Sequence, residues 1–203
     1  MQFTNALVAA TLASAVSGAS IPSQVYARQN GTANSTLPAY FKLQVVAIDT
    51  PLHLQHFQAA QSSIFVGLPK QNATCDITPD QPTEQEATFT LDSEDNGLYL
   101  YAASTTPQQL FADLSGMGQG KLGYTTGAQP APRNAQRTGW ELDEAGHLMF
   151  DNAGFTACPN SIEGSWSVWV YNSIDNPGGN KDCVRIAARP VAIPKPNGCS
   201  YTS

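Results

Sequence analysis

The chain has 203 residues, of which 41% are hydrophobic and only 13% charged, about half the usual charged share of roughly a quarter. A sequence so poor in Lys, Arg and Glu lacks the straight-chain helix formers of long solvated helices, which argues against an all-α bundle. Ten basic against sixteen acidic side chains give a net charge of −6 with no Lys/Arg block, which argues against nucleic acid and anionic membrane as partners.

The first residues, MQFTNALVAATLASAVSGAS, carry no charged side chain, an apolar run over 6–16, and small residues at Ser17 and Ala19. This pattern predicts a secretory signal over 1–19; it is shorter than the roughly 20 residues of a bilayer span. A buried apolar helix is the alternative, and the cleavage-site chemistry favours the signal. Residues 20–38, rich in Ser, Asn, Thr and Gln, read as a flexible arm with glycosylation acceptor triplets at Asn30 and Asn34; a third lies at Asn72. Residues 39–203 are expected to form a single disulfide-stapled β domain. No later segment matches the first in apolar length and the C-terminus is polar, so neither a membrane span nor a lipid anchor is expected.

Within that domain, apolar residues alternate with polar ones over short runs, the mark of half-buried strands. Phe41, Leu43, Val45 and Ala47 form one face of the first run; Ala87, Phe89 and Leu91 mark a second; Leu98 and Leu100 a third. Trp140 and Leu142, then Leu148 and Phe150, then Trp166, Val168 and Val170 continue the series. DSEDNG over 92–97 and DEAG over 143–146 supply hairpin turns. One helix is predicted, over 107–114, with Thr106 as cap and Pro107 at its first position. The fold class is therefore all-β: an antiparallel β-sandwich or barrel. A weak echo at intervals of about fifty residues, led by Phe41, Phe89 and Trp140, leaves a β-trefoil-like pseudo-threefold repeat as an option.

Four cysteines in an exported chain, Cys75, Cys158, Cys183 and Cys199, imply disulfides. Three pairings are open. The nearest pair would staple a tail containing Pro190, Pro194 and Pro196, which favours Cys183 with Cys199 and Cys75 with Cys158. The cysteine spacings contain no Cys-x-x-Cys motif and no nearby His pair to complete a tetrahedral set, so neither a metal nor any other cofactor is expected.

Catalytic signals are weak throughout. His53 and His56 are flanked by Leu52 and Leu54, whose strand-like alternation sends the two rings to opposite sides, and His147 stands alone. No Gly-x-Ser-x-Gly elbow marks a nucleophile. The acids Glu84, Glu86, Asp92, Glu94 and Asp95 gather at a predicted hairpin tip instead of facing one another across a cleft, and Asp49, Asp113 and Glu163 have nothing to distinguish them. SGMGQG over 115–120 lacks the Lys-Ser/Thr of a phosphate loop and is followed by the extended KLGYTTG, so its glycines are expected to make tight turns.

The aromatic pattern is more informative. In SWSVWVY (165–171), Trp166, Val168 and Val170 point one way and Trp169 and Tyr171 the other; in GLYLY (97–101), Tyr99 and Tyr101 point opposite to the leucines. If the aliphatic faces are core, Trp169, Tyr171, Tyr99 and Tyr101 are candidates for an outer platform that stacks on sugar rings. Burial beneath a second sheet or the Pro-rich tail is the competing reading.

The succession SGMGQG, KLGYTTG, GWELDEAGHLMF, FTACPN and WSVWVYN, with a late Cys before a terminal Tyr, resembles the small fungal secreted cell-wall proteins of phialide and conidium development, a family that includes IgE-binding allergens. The likeness runs from about Ala39 to the end and is densest over 115–171. It implies a secreted, wall-associated, non-enzymatic protein with no catalytic residues to carry over. Cell-wall polysaccharide is the expected partner, contacted through hydroxyl and amide groups more than through charge.

Overall fold

The computed structural model describes residues 37–76, 85–102 and 104–203. The predicted signal segment, the predicted arm up to residue 36 with Asn30 and Asn34, and Glu84 lie outside the described residues. Each of the six alternating runs contains a strand. β1 (Phe41–Val46) turns Phe41, Leu43 and Val45 into the core. β2 (Phe57–Ala60) and β3 (Ser63–Val66) make a hairpin, and β4 (Thr74–Cys75) is a short rung. β5 (Phe89–Leu91), β6 (Leu98–Leu100), β7 (Gln108–Asp113) and β8 (Lys121–Thr126) follow as a meander. β9 (Trp140–Leu142) and β10 (Leu148–Phe150) form a second hairpin, before β11 (Phe155–Cys158), β12 (Trp166–Val170), β13 (Val184–Ala192) and β14 (Cys199–Ser200).

Every strand pairing among the described residues is antiparallel. The order β1-β5-β6-β7-β8-β3-β12-β11-β13 closes on itself because β13 pairs back along the whole of β1, from Phe41↔Ala192 to Val46↔Ala187. The nine-strand ring is a barrel, and closure removes the exposed edges an open sheet would leave. β2 extends β3, the β9–β10 hairpin hangs on β13, and β14 with β4 forms a separate ribbon. Phe41, Phe57, Phe89, Phe150 and Phe155 fill the interior with the aliphatic residues of the predicted faces. The fifty-residue echo does not generate three equivalent units. Phe89 and Trp140 each open a hairpin, whereas Phe41 begins a ring strand and its followers Leu52 and Leu54 lie in a turn.

Both predicted turns close hairpins. Asp92 N–H donates to the Gly97 carbonyl at 2.9 Å, and Asp95 Oδ1 accepts the Gly97 amide at 2.7 Å. Asp143 N–H donates to the His147 carbonyl at 2.9 Å, and its carboxylate accepts the His147 amide at 2.7 Å. Partial burial pushes the Asp143 carboxyl up, but the hydrogen bonds and charge of His147 and the Ala145 amide outweigh it and hold the group below its ordinary range.

Three expectations are corrected. The segment predicted as a helix, 107–114, contains β7, paired with β8 over six residues from Gln108↔Thr126 to Asp113↔Lys121; two-sided pairing in a closed ring outweighs a Pro and a cap. Residues 51–54 are a turn, not a strand: Leu52 is buried, while Leu54 adopts φ 67° and is 51% exposed. The disulfides are Cys75–Cys199 and Cys158–Cys183, not the pairing proximity favoured. β13 separates Cys183 from the tail by nine residues, about 30 Å at roughly 3.3 Å per residue. That strand also contains Pro190, opposite Leu43. Counting by alternation from the Ile193 N–H bond to the Tyr40 carbonyl, this pair exchanges no hydrogen bond, so the missing proline N–H costs nothing there.

The chain end is built into the barrel. Gln108 Nε2 donates to the Tyr201 carbonyl at 2.8 Å and Gln108 Oε1 accepts the Tyr201 amide at 2.9 Å. The Tyr124 hydroxyl donates to the Thr202 carbonyl, and burial pushes the Tyr124 phenol well above its ordinary value. The Tyr201 hydroxyl oxygen accepts the buried Thr88 N–H at 3.0 Å. Tyr201→Phe is expected to strand that amide and cost about 1–3 kcal/mol, read as a lower urea midpoint at unchanged m-value.

Candidate functional site on the outer face

β12 and β13 both pair antiparallel with β11, so they run parallel to each other and the connection between them, 171–183, must cross one face of β11. Phe155 and Ala157 point into the core, and the crossover takes the opposite, outer face. Thr156 points outward yet is only 1% exposed, and its Oγ1 has no hydrogen-bond partner among the described residues. Burial on both faces explains why all four residues of β11 are covered. Cys158–Cys183 pins the far end of the crossover. Asn172 Nδ2 donates to the Leu114 carbonyl at 2.6 Å and the Gly178 amide to Gln119 Oε1 at 2.8 Å, tying the crossover to the glycine run at 115–120.

That run makes tight turns as expected: Gln119 N–H donates to the Ser115 carbonyl, Gly120 N–H to Asp113 and Lys121 N–H to Gly118. Across the outer face the register then aligns Asp113, Lys121, Trp169, Thr156 and Arg185 in one row.

The four platform candidates occupy two separate patches. Trp169 and Tyr171 belong to the β12 side. Tyr99 and Tyr101 lie on β6 and at its end, three strand steps away through the direct β8–β12 pairing, about 14 Å across the strands at roughly 4.8 Å per step. All four are half-buried. Tyr101 packs its ring on Tyr40, centroids 4.6 Å apart. Tyr99 donates its hydroxyl to Asp95 Oδ2 at 3.0 Å; desolvation, that bond and the nearby carboxylates push its phenol up. Tyr171 is capped by the Arg185 guanidinium 3.2 Å above its centroid, a cation–π contact. Neither a second sheet nor the Pro-rich tail does the covering on the β12 side; the crossover and Arg185 of β13 do.

Trp169 keeps an open side. Its Nε1–H donates to Ser167 Oγ at 3.0 Å, and its six-membered ring abuts Gly178, where a Cβ would lie 2.6 Å from Cη2. The rest of the indole borders a groove of about 350 Å³ whose floor is the outer face of β3, β8 and β12. Sequence reasoning found Trp169 by alternation but missed the groove, because its walls come from a loop crossover with no periodic signal.

The histidines are all engaged locally. His53 Nδ1 accepts the Ala47 amide at 3.3 Å, His56 Nδ1 pairs with Glu86 at 2.9 Å, where Lys42 also binds at 2.7 Å, and His147 Nδ1 lies 3.1 Å from Asp143. Among the described residues no helix is long and apolar enough to cross a membrane, and no three His, Cys, Asp or Glu side chains are grouped to hold a metal. Asn72 is exposed, with φ 54°, three residues before Cys75.

A closed antiparallel barrel with two disulfides and loop-built outer grooves is the make-up of a small protein of an oxidising, extracellular compartment. The profile of the PhiA-like secreted protein family matches residues 41–202, and the chain belongs to that family. It is 53% identical over 163 residues to cell wall protein phiA of Aspergillus fumigatus, covering 80% of this chain and 85% of that one. With the protein of the same name from Aspergillus niger it shares 52% over 161 residues, 78% of this chain and 84% of the relative. The corresponding figures for Emericella nidulans are 47% over 173 residues, 85% and 91%. No solved structure matches. The family places the chain among secreted proteins of the fungal cell wall.

Proposed function

We propose that this is a non-enzymatic wall protein that serves the formation of spore-bearing cells, phialides and conidia, and is retained non-covalently among wall polysaccharides. The observation that carries the wall assignment is family membership across nearly the whole barrel. The non-enzymatic reading is supported by the use to which the histidines are put. Each is held in a turn or ion pair of its own, and among the described residues none of the three rings is hydrogen-bonded to a Ser, Thr or Cys side chain, the contact that triad chemistry needs.

Genetic complementation tests both parts of this proposal. A deletion strain is expected to form defective phialides and fewer conidia, and a variant carrying His53→Gln, His56→Gln and His147→Gln is expected to restore them as well as the wild-type chain. Normal conidiation in the deletion strain would remove the developmental role. Failure of a folded, secreted triple variant would point to histidine chemistry.

A second reading, that the protein is a glycan-binding module, is favoured by the partly open Trp169 on the outer face beside a polar groove.

A further inference from the structure

We propose that the Trp169 groove is a binding site for about one or two rings of an uncharged polysaccharide, an inference that rests on the glycan-binding reading above and gives it a place and a ligand class. At about 350 Å³ the groove is at the small end of ligand sites, which run from roughly 300 to 1,000 Å³. Its floor carries Trp169, whose indole offers an apolar face to the C–H side of a pyranose ring. Hydroxyl and amide groups surround it: Ser63, Ser161, Ser167 and Asn180. Ser167 Oγ already accepts the indole N–H, which leaves its own proton to donate. Asn180 Nδ2 donates one proton to the Pro177 carbonyl at 2.6 Å, which leaves Oδ1 to accept and a second N–H to donate. A larger cleft of about 470 Å³ beside Asp95 and Glu141 offers no such platform, because its tryptophan, Trp140, is only 3% exposed.

Charge selects the ligand class from two directions. Among the described residues Lys121 is the one charged side chain bordering the Trp169 groove, and it makes no ion pair there. Its ammonium repels a deacetylated, amine-bearing glycan at close range. The net charge of −6 repels a polyanionic glycan at longer range. An uncharged chain meets neither penalty, and its hydroxyls match the serines and the amide.

Titration calorimetry of the mature full-length chain with three soluble probes tests the site: a β-1,3-linked glucose hexasaccharide, a fully deacetylated chitosan hexasaccharide and an oligogalacturonate of equal length. The neutral probe is expected to bind at least about tenfold more tightly than either charged one. Trp169→Ala is expected to weaken it at least about tenfold, and Tyr99→Ala, on the other patch, to leave it unchanged. Lys121→Glu is expected to raise affinity for the chitosan probe about tenfold, a gain that misfolding cannot produce. Equal binding by wild type and Trp169→Ala, a preference for either charged probe, or no gain in Lys121→Glu would overturn the proposal. If the wild-type chain binds no probe yet is recovered from walls, the groove assignment falls while wall retention stands.

Discussion

Replacing Cys75 and Cys199 together by Ser is expected to lower the unfolding free energy by about 5 kcal/mol, the largest loss available from any single cross-link. The bond spans 124 residues, and the loop entropy it removes from the unfolded chain grows with the logarithm of that length. It also fastens the β4–β14 ribbon, where Cys199 and Cys75 stand opposite each other. That ribbon positions Tyr201 and Thr202 against Gln108, Thr88 and Tyr124. The shorter Cys158–Cys183 bridge spans 25 residues and is expected to be worth about 3.5 kcal/mol by the same relation. Urea unfolding of both double variants checks the order of the two losses. A loss below about 2 kcal/mol for Cys75/Cys199 would mean that the hydrogen bonds around the tail hold it without the bridge.

Gly120→Ala is the second large effect. A Cβ at this position would lie 1.9 Å from the Val170 carbonyl oxygen, and φ is 92°, outside the range of other L-residues. The Val170 amide also donates to the Gly120 carbonyl at 2.8 Å, so relief of the clash opens the contact between β8 and β12 where Lys121 meets Trp169. Backbone strain of about 1–3 kcal/mol and overpacking of similar size combine, for an expected loss of about 3–5 kcal/mol in denaturant unfolding. Gly146→Ala separates the two contributions: φ there is also positive, at 81°, but nothing lies within 4 Å of the added carbon. Only the strain is then expected, about 1 kcal/mol. Equal losses at the two positions would contradict the close approach of Val170.

The ring strands were legible in the sequence where apolar and polar residues alternate cleanly, as in Phe41, Leu43 and Val45 or Val168 and Val170, because each such strand has one face in the core. They were least legible where both faces are covered. β11 reads FTAC and is buried throughout, β2 likewise, and β7 shows four consecutive buried residues from Leu110, which blurred its period enough for Pro107 to suggest a helix. The disulfide pairing depends on where nine residues of β13 carry the chain, a tertiary fact no spacing rule contains. For the candidate site, alternation found Trp169, but the tie between Gly178 and Gln119 and the arginine over Tyr171 join residues far apart in sequence. The motifs that carry the family resemblance, densest from 115 to 171, include the glycine run and both tryptophans of β12, and contribute Lys121, Leu122, Ser167, Val168 and Trp169 to the groove.

Fractionation of intact fungal walls tests most directly whether this is a wall protein held without a covalent or lipid link. The mature chain is expected in the washed wall fraction, released by hot detergent with reductant and without glycan-cleaving enzymes. Recovery solely from the cytosol, or from membranes on cleavage of a lipid anchor, would contradict it.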